Sequence, residues 1–107
     1  MTDLTGKVAL ITGAGQGVGQ GVALAMSAAG AAVVVTGRTL SKVQDTARMV
    51  TERGGRALAV ACNVKDADDL AASVERAVAE FGSLDILVNN AQEVPLGTLE
   101  DVTDEAF

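Results

Sequence analysis

Thr12-Gly13-Ala14-Gly15-Gln16-Gly17-Val18-Gly19 stands immediately after the apolar run Val8–Ile11 and immediately before a segment of helical period. Glycine tolerates positive φ, so a cluster of this kind makes a tight strand-to-helix turn whose backbone N–H groups can approach an anion. The positive end of the following helix dipole points at the same place, which is the ordinary way for a fold to hold a phosphate. The spacing is Gly13-x-x-x-Gly17-x-Gly19, and no Lys-Ser or Lys-Thr pair follows to make a P-loop. Gly13, Gly15, Gln16, Gly17, Val18 and Gly19 are the candidate binding residues of this turn.

Outward from the turn, short apolar runs alternate with longer segments of helical period. Residues 8–11, 32–35, 57–62 and 86–88 are nearly continuous apolar runs, as expected of parallel strands covered on both faces. Between the first two, Val18, Val22, Ala25, Met26 and Ala29 recur at helical spacing, and Gly30 is the expected stop. Between the next two, Ser41 and Gln44 form a capping box, and Val43, Ala47 and Val50 share one face before Gly54-Gly55. In the third connection Asp66 is the expected N-cap, Leu70, Val74, Ala77, Val78 and Phe81 line one face, and Gly82 is the stop.

The order is therefore βαβαβαβ, an α/β chain. Right-handed crossovers put the first two helices on one face of a parallel sheet. A reversal after the third strand puts the third helix on the other face, with strand order 3-2-1-4. The irregular stretch 92–102 and a helical first turn over 103–107 follow. The expectation is a single dinucleotide-binding domain over residues 1–107, incomplete and truncated after the fourth strand, which is left as an apolar edge.

Composition excludes several chemistries. The 107 residues include no His, Tyr or Trp, which removes Ser-His-Asp and Cys-His sites, His-based zinc sites and a phenolic acid or base. No metal site is expected. Eight Lys and Arg oppose 14 Asp and Glu, a net charge of −6, with the basic residues scattered. Nucleic acid and anionic membrane both require a basic patch and are poor partners for such a chain. The single cysteine, Cys62, lies in an apolar run and reads as a buried, inert thiol. The N-terminus does not read as a signal sequence and no apolar run approaches the roughly 20 residues of a membrane span, so a cytoplasmic location is expected.

A second signal lies at the end of strand two, Thr36-Gly37-Arg38-Thr39. In dinucleotide-binding sheets an acid here holds the ribose 2′-hydroxyl of NAD, whereas an arginine accommodates the 2′-phosphate of NADP. The acid is absent and Arg38 is present, with a guanidinium able to bind phosphate and to stack near adenine.

Together with Cys62-Asn63-Val64 at the end of strand three and Leu87-Val88-Asn89-Asn90-Ala91 at strand four, these motifs resemble the short-chain dehydrogenase/reductase family along the whole chain. The resemblance implies a Rossmann-type three-layer α/β/α fold, with Gly13, Gly17 and Gly19 at the pyrophosphate of a nicotinamide cofactor. It implies that Arg38 confers a preference for NADP(H) over NAD(H). It further implies that Asn63 and Val64 flank the adenine, that Asn90 and Ala91 lie near the adenosine ribose, and that Asn89 helps to fix strand four. The family usually has Asp where Asn63 stands, and Gly where Gln92 stands.

The family's catalytic Ser and Tyr-x-x-x-Lys lie beyond the point corresponding to Phe107, so no catalytic residue is assigned. The sequence is thus read as the NADP(H)-binding N-terminal portion of an oxidoreductase, catalytically inactive as it stands. Two alternatives are a non-catalytic nucleotide-binding module and a fragment that associates with itself or a complementary half through the strand-four edge. A methyltransferase would want acids before the turn and at the end of strand two, where Thr12 and Gly37 stand.

Overall fold

The computed structural model describes residues 3–90. Four strands, β1 (Val8–Ile11), β2 (Ala32–Gly37), β3 (Ala57–Ala61) and β4 (Ile86–Val88), alternate with three helices, α1 (Gly17–Ala28), α2 (Leu40–Glu52) and α3 (Ala67–Phe81). The sheet is wholly parallel in the order β3-β2-β1-β4. The strand order and alternation expected above are therefore observed.

Side-chain alternation assigns each strand residue to a layer. Val8 and Leu10 of β1, Ala32 and Val34 of β2 and Val60 of β3 pack with Leu70, Val74 and Ala77 of α3. Ala9, Ile11, Val33 and Val35 face the other way and pack with Ala23 of α1 and with Val43 and Val50 of α2. Because both faces are covered, β1 needs no polar residue and has none: all four of its residues are buried. Fully burying each Val, Leu or Ile contributes about 1.5–3 kcal/mol, which makes this double-sided core the main support of the sheet.

Tertiary packing also explains where local signals misread the helices. Three of the twelve residues of α1 are glycine, whose intrinsic helix propensity is about 1 kcal/mol poorer than that of alanine, so the helix stands through its contacts rather than its propensity. Its buried residues are Gly19 and Ala23, with Val22 and Met26 half-buried; Val18 is 74% exposed and Ala25 is exposed. The expected apolar face is thus rotated, because Gly19 must turn toward the backbone of the preceding loop.

The Ser41–Gln44 capping box does not form. Helix α2 starts at Leu40 with Thr39 as N-cap, the Thr39 carbonyl accepts from the N–H groups of Lys42 and Val43, and Ser41 falls inside the first turn. Asp66 does cap α3, its Oδ1 accepting from the N–H groups of Asp68 at 2.9 Å and Asp69 at 3.3 Å, and Gly82 ends that helix in the left-handed region.

Strand β2 runs two residues past its expected end to Gly37, whereas β3 stops at Ala61 and Cys62 continues only as a single N–H donor to the Gly37 carbonyl, at 2.8 Å. These two strand ends set the floor of the site. Among the described residues β4 pairs only with β1, and its three residues are half-buried. The expected irregular stretch 92–102, the helical turn over 103–107, Gln92 and Ala91 lie outside the described residues.

Candidate functional site

The glycine-rich turn leaves β1 at the carboxyl edge of the sheet and is tied down on three sides. The N–H of Ala14 donates to the Thr36 carbonyl of β2 at 2.9 Å, while the Ala14 carbonyl accepts from the Thr46 hydroxyl of α2 at 2.8 Å. Gln20 of α1 donates to that same hydroxyl through Nε2 at 3.0 Å. On the β4 side, the N–H of Thr12 donates to the Val88 carbonyl at 3.0 Å, and its hydroxyl accepts from the N–H of Asn90 at 2.9 Å. Thr36 hydroxyl adds a bond to the Ile11 carbonyl at 3.1 Å. Each such bond contributes about 1 kcal/mol net, and together they hold the loop in one conformation before any ligand arrives.

Within that frame Gly13 and Gly17 adopt φ of +62° and +60°, a conformation that side chains disfavour by roughly 1–2 kcal/mol. Gly19 is needed for a different reason. A Cβ built on it would collide with the Gly13 carbonyl and stand 2.7 Å from Asn90 Nδ2. Helix α1 can therefore lie against its own preceding turn only because residue 19 has no side chain. Its N-cap, Gln16, makes no side-chain cap bond, and its first turn holds no acid. The first N–H groups of a helix have no partner within it, so this end is a positive, donor-rich surface.

The turn borders a cleft of about 280 Å³ at the carboxyl edge of β1, β2 and β3. Gly13, Gly15 and Gln16 line it from the turn, Arg38 from the end of β2, and Val64 from the segment after β3. These five expected residues do converge. Gly17, Val18 and Gly19 form the first turn of α1 beside the cleft rather than its lining, and the Val18 side chain points to solvent.

Asn63 and Asn90 make contacts within the protein beside the lining. Asn63 Oδ1 accepts from the Lys65 N–H at 3.1 Å, and the Asn63 N–H donates to Asp69 Oδ2 at 2.7 Å, so this residue organises the β3–α3 connection. Asn90 Nδ2 donates to the Gly13 carbonyl at 3.2 Å and braces the turn. Asn89 Oδ1 lies 3.4 Å from the Thr12 hydroxyl, at the end of β4. Ala91 lies outside the described residues.

The lining contains residues that the sequence reading missed: Gly37, Thr39, Lys42, Val43 and Cys62. Lys42 Nζ donates to Gln16 Oε1 at 3.0 Å. The available signal is its position four residues after Arg38, in the first turn of the helix that follows. Among the described residues, no acidic residue lines the cleft. Cys62 is buried, and burial pushes its thiol upward, with a hydrogen bond from Ser73 pulling down and the charges of Asp69 and Asp66 adding to the rise.

The chain matches known proteins in both sequence and fold. The family profile described as short chain dehydrogenase matches residues 7–107. The chain belongs to the short-chain dehydrogenase family. An uncharacterized oxidoreductase of Methylorubrum extorquens is 41% identical over 108 residues, covering 100% of this chain and 44% of that protein.

Among solved structures, hydroxysteroid dehydrogenase from Escherichia coli superposes with a TM-score of 0.82 at 34% identity, over 89% of this chain and 43% of that one. A metagenomic short-chain oxidoreductase in complex with NADP gives 0.77 at 39% identity, over 82% of this chain and 40% of that one. This short-chain dehydrogenase sequence thus spans less than half the length of each of these relatives. Among the described residues, no helix is long and apolar enough to cross a membrane.

Proposed function

We propose that this chain is the cofactor-binding portion of a short-chain oxidoreductase and that it takes NADP(H) in preference to NAD(H). One observation carries the preference: Arg38 lines the cleft at the end of β2, and among the described residues no acid lines it. An acid at this strand end is what a ribose 2′-hydroxyl calls for, and a guanidinium is what a 2′-phosphate calls for.

The residues present fit such a cofactor. The cradle at Gly19, which a Cβ would fill, keeps the uncapped α1 N-terminus close to the turn, and its N–H groups suit a pyrophosphate. Val64 offers an apolar wall for an adenine. When bound, the cofactor supplies hydride transfer between a carbonyl and an alcohol. This chain's own residues bind and orient it, and with no tyrosine in the sequence none is assigned to the proton transfer. Its net charge of −6 with scattered cations also favours a small-molecule ligand over a nucleic-acid or membrane partner.

Titration calorimetry of the chain with NADPH and NADH tests the reading. Tighter binding of NADPH by about tenfold, lost in Arg38→Ala, is the expected result. Equal affinities, tighter NADH, or binding of neither would overturn it.

A further inference from the structure

Arg38 is one cation, and a phosphate monoester carries about −1.5 to −2 charges near neutral pH. A second cation is therefore needed to neutralise it, and the cleft contains one. We infer that Lys42 is the second 2′-phosphate ligand of this protein and that Gln16, from the glycine turn, holds its ammonium over the cleft; the inference rests on the NADP(H) reading above.

Three observations converge on it. Among the described residues lining the cleft, Lys42 and Arg38 are the two that carry a cation. Lys42 Nζ donates to Gln16 Oε1 at 3.0 Å, bridging from α2 to the N-cap of α1, so the flexible side chain is directed toward the turn rather than into bulk solvent. A Cβ added at Gly15 would stand 3.0 Å from Lys42 Cβ, so the absence of a side chain at Gly15 is what admits the lysine stem to this position.

An ammonium has three donors, and the bond to Gln16 leaves two for phosphate oxygens. A glutamine at position 16 is suited to this task because it accepts from the lysine without cancelling its charge, whereas a carboxylate would pair with it and repel the phosphate. The turn thus contributes to specificity indirectly, by placing a cation that belongs to another element.

The probes are 2′,5′-ADP and 5′-AMP, which differ in the 2′-phosphate alone, titrated into the whole chain and its Lys42→Met, Lys42→Gln, Lys42→Arg, Gln16→Ala and Arg38→Ala variants. Lys42→Met and Lys42→Gln are expected to lower 2′,5′-ADP affinity about tenfold while 5′-AMP affinity stays within about twofold. Lys42→Arg keeps most of the affinity, and Gln16→Ala, which frees the lysine without removing its charge, loses about two- to threefold more on 2′,5′-ADP than on 5′-AMP.

Unchanged 2′,5′-ADP binding in both neutral Lys42 variants, with discrimination lost in Arg38→Ala, overturns the role of Lys42 and leaves the NADP(H) reading standing. An equal loss on both probes also overturns it, by assigning Lys42 to the shared 5′-phosphate. If the unsubstituted chain does not distinguish the probes, both readings fall.

Discussion

Asn90 and Gly13 are 77 residues apart in the chain and joined by a hydrogen bond, the Asn90 side-chain amide donating to the Gly13 carbonyl at 3.2 Å. The bond closes the glycine turn against the end of β4, and Gly19 lies so near both partners that no side chain fits between them. Replacing Gly19 by alanine inserts a methyl group where backbone has no room to move. The expected outcome is a loss of about 1–3 kcal/mol in urea unfolding, together with weakened binding of NADPH and NADH alike. A Gly19→Ala protein as stable as the parent would show that the turn relaxes freely.

Gly37 holds the place where an acid would favour NAD, and its surroundings resist one. A Cβ there would stand 3.0 Å from Val43 Cγ1. Gly37→Asp alone should therefore weaken NADPH binding without a gain for NADH, while Gly37→Asp with Val43→Ala makes space for the carboxylate and tightens NADH relative to the single variant. Fluorescence titration with the two cofactors reads both effects. Good NADH binding by the single variant would remove Val43 as the obstacle.

Acid sensitivity should arise in part at the start of β1. Asp85 Oδ2 accepts from the Val8 N–H at 2.9 Å and from the Ser83 hydroxyl at 3.0 Å, and the backbone bond first, then the hydroxyl and the charge of Lys7, hold its carboxyl below the ordinary value of 3.8. A group with a lowered pKa in the fold binds its proton more readily when unfolded. Its stabilising effect is complete above the unfolded value and disappears as pH falls through the folded one. Urea unfolding of the parent is expected to weaken between about pH 5 and pH 2, and Asp85→Asn to show a shallower slope over that interval. Identical slopes would assign the acid sensitivity to other carboxylates, Asp3 beside Thr5 among them.

Cys62 lines the cleft and is nevertheless buried. With its thiol pushed up by burial, little thiolate is present at pH 8 and little surface is open to a reagent. Reaction with a disulfide reagent should be at least about 100-fold slower in the native protein than in concentrated urea. Rapid native labelling would show that the segment after β3 opens readily.

Much of this architecture is legible in the residues alone. Strands β1 and β4 have the bounds that their apolar runs indicate, and α3 lies between its Asp66 N-cap and its Gly82 C-cap as its capping chemistry directs, because these signals act within a few residues. Signals that depend on a distant partner read less well. Val18 belongs to an apolar period and is exposed, since the approach of Gly19 to Gly13 sets the rotation of α1. Ser41 and Gln44 have the pattern of a cap, yet Thr39 fills that place once β2 extends to Gly37.

What the sequence by itself determined is the alternating α/β order, the parallel sheet and the site's first cation, Arg38. Local hydrophobic period, glycine spacing and strand-end residues are enough to specify these. The tertiary structure alone decided that Asn90 braces the turn, that Asn63 serves the β3–α3 connection, and that Lys42 leans over the cleft toward Gln16. The physical reason is that a flexible polar side chain carries no periodicity: its partner is known only when packing of the two layers has fixed which strand ends and helix starts lie together.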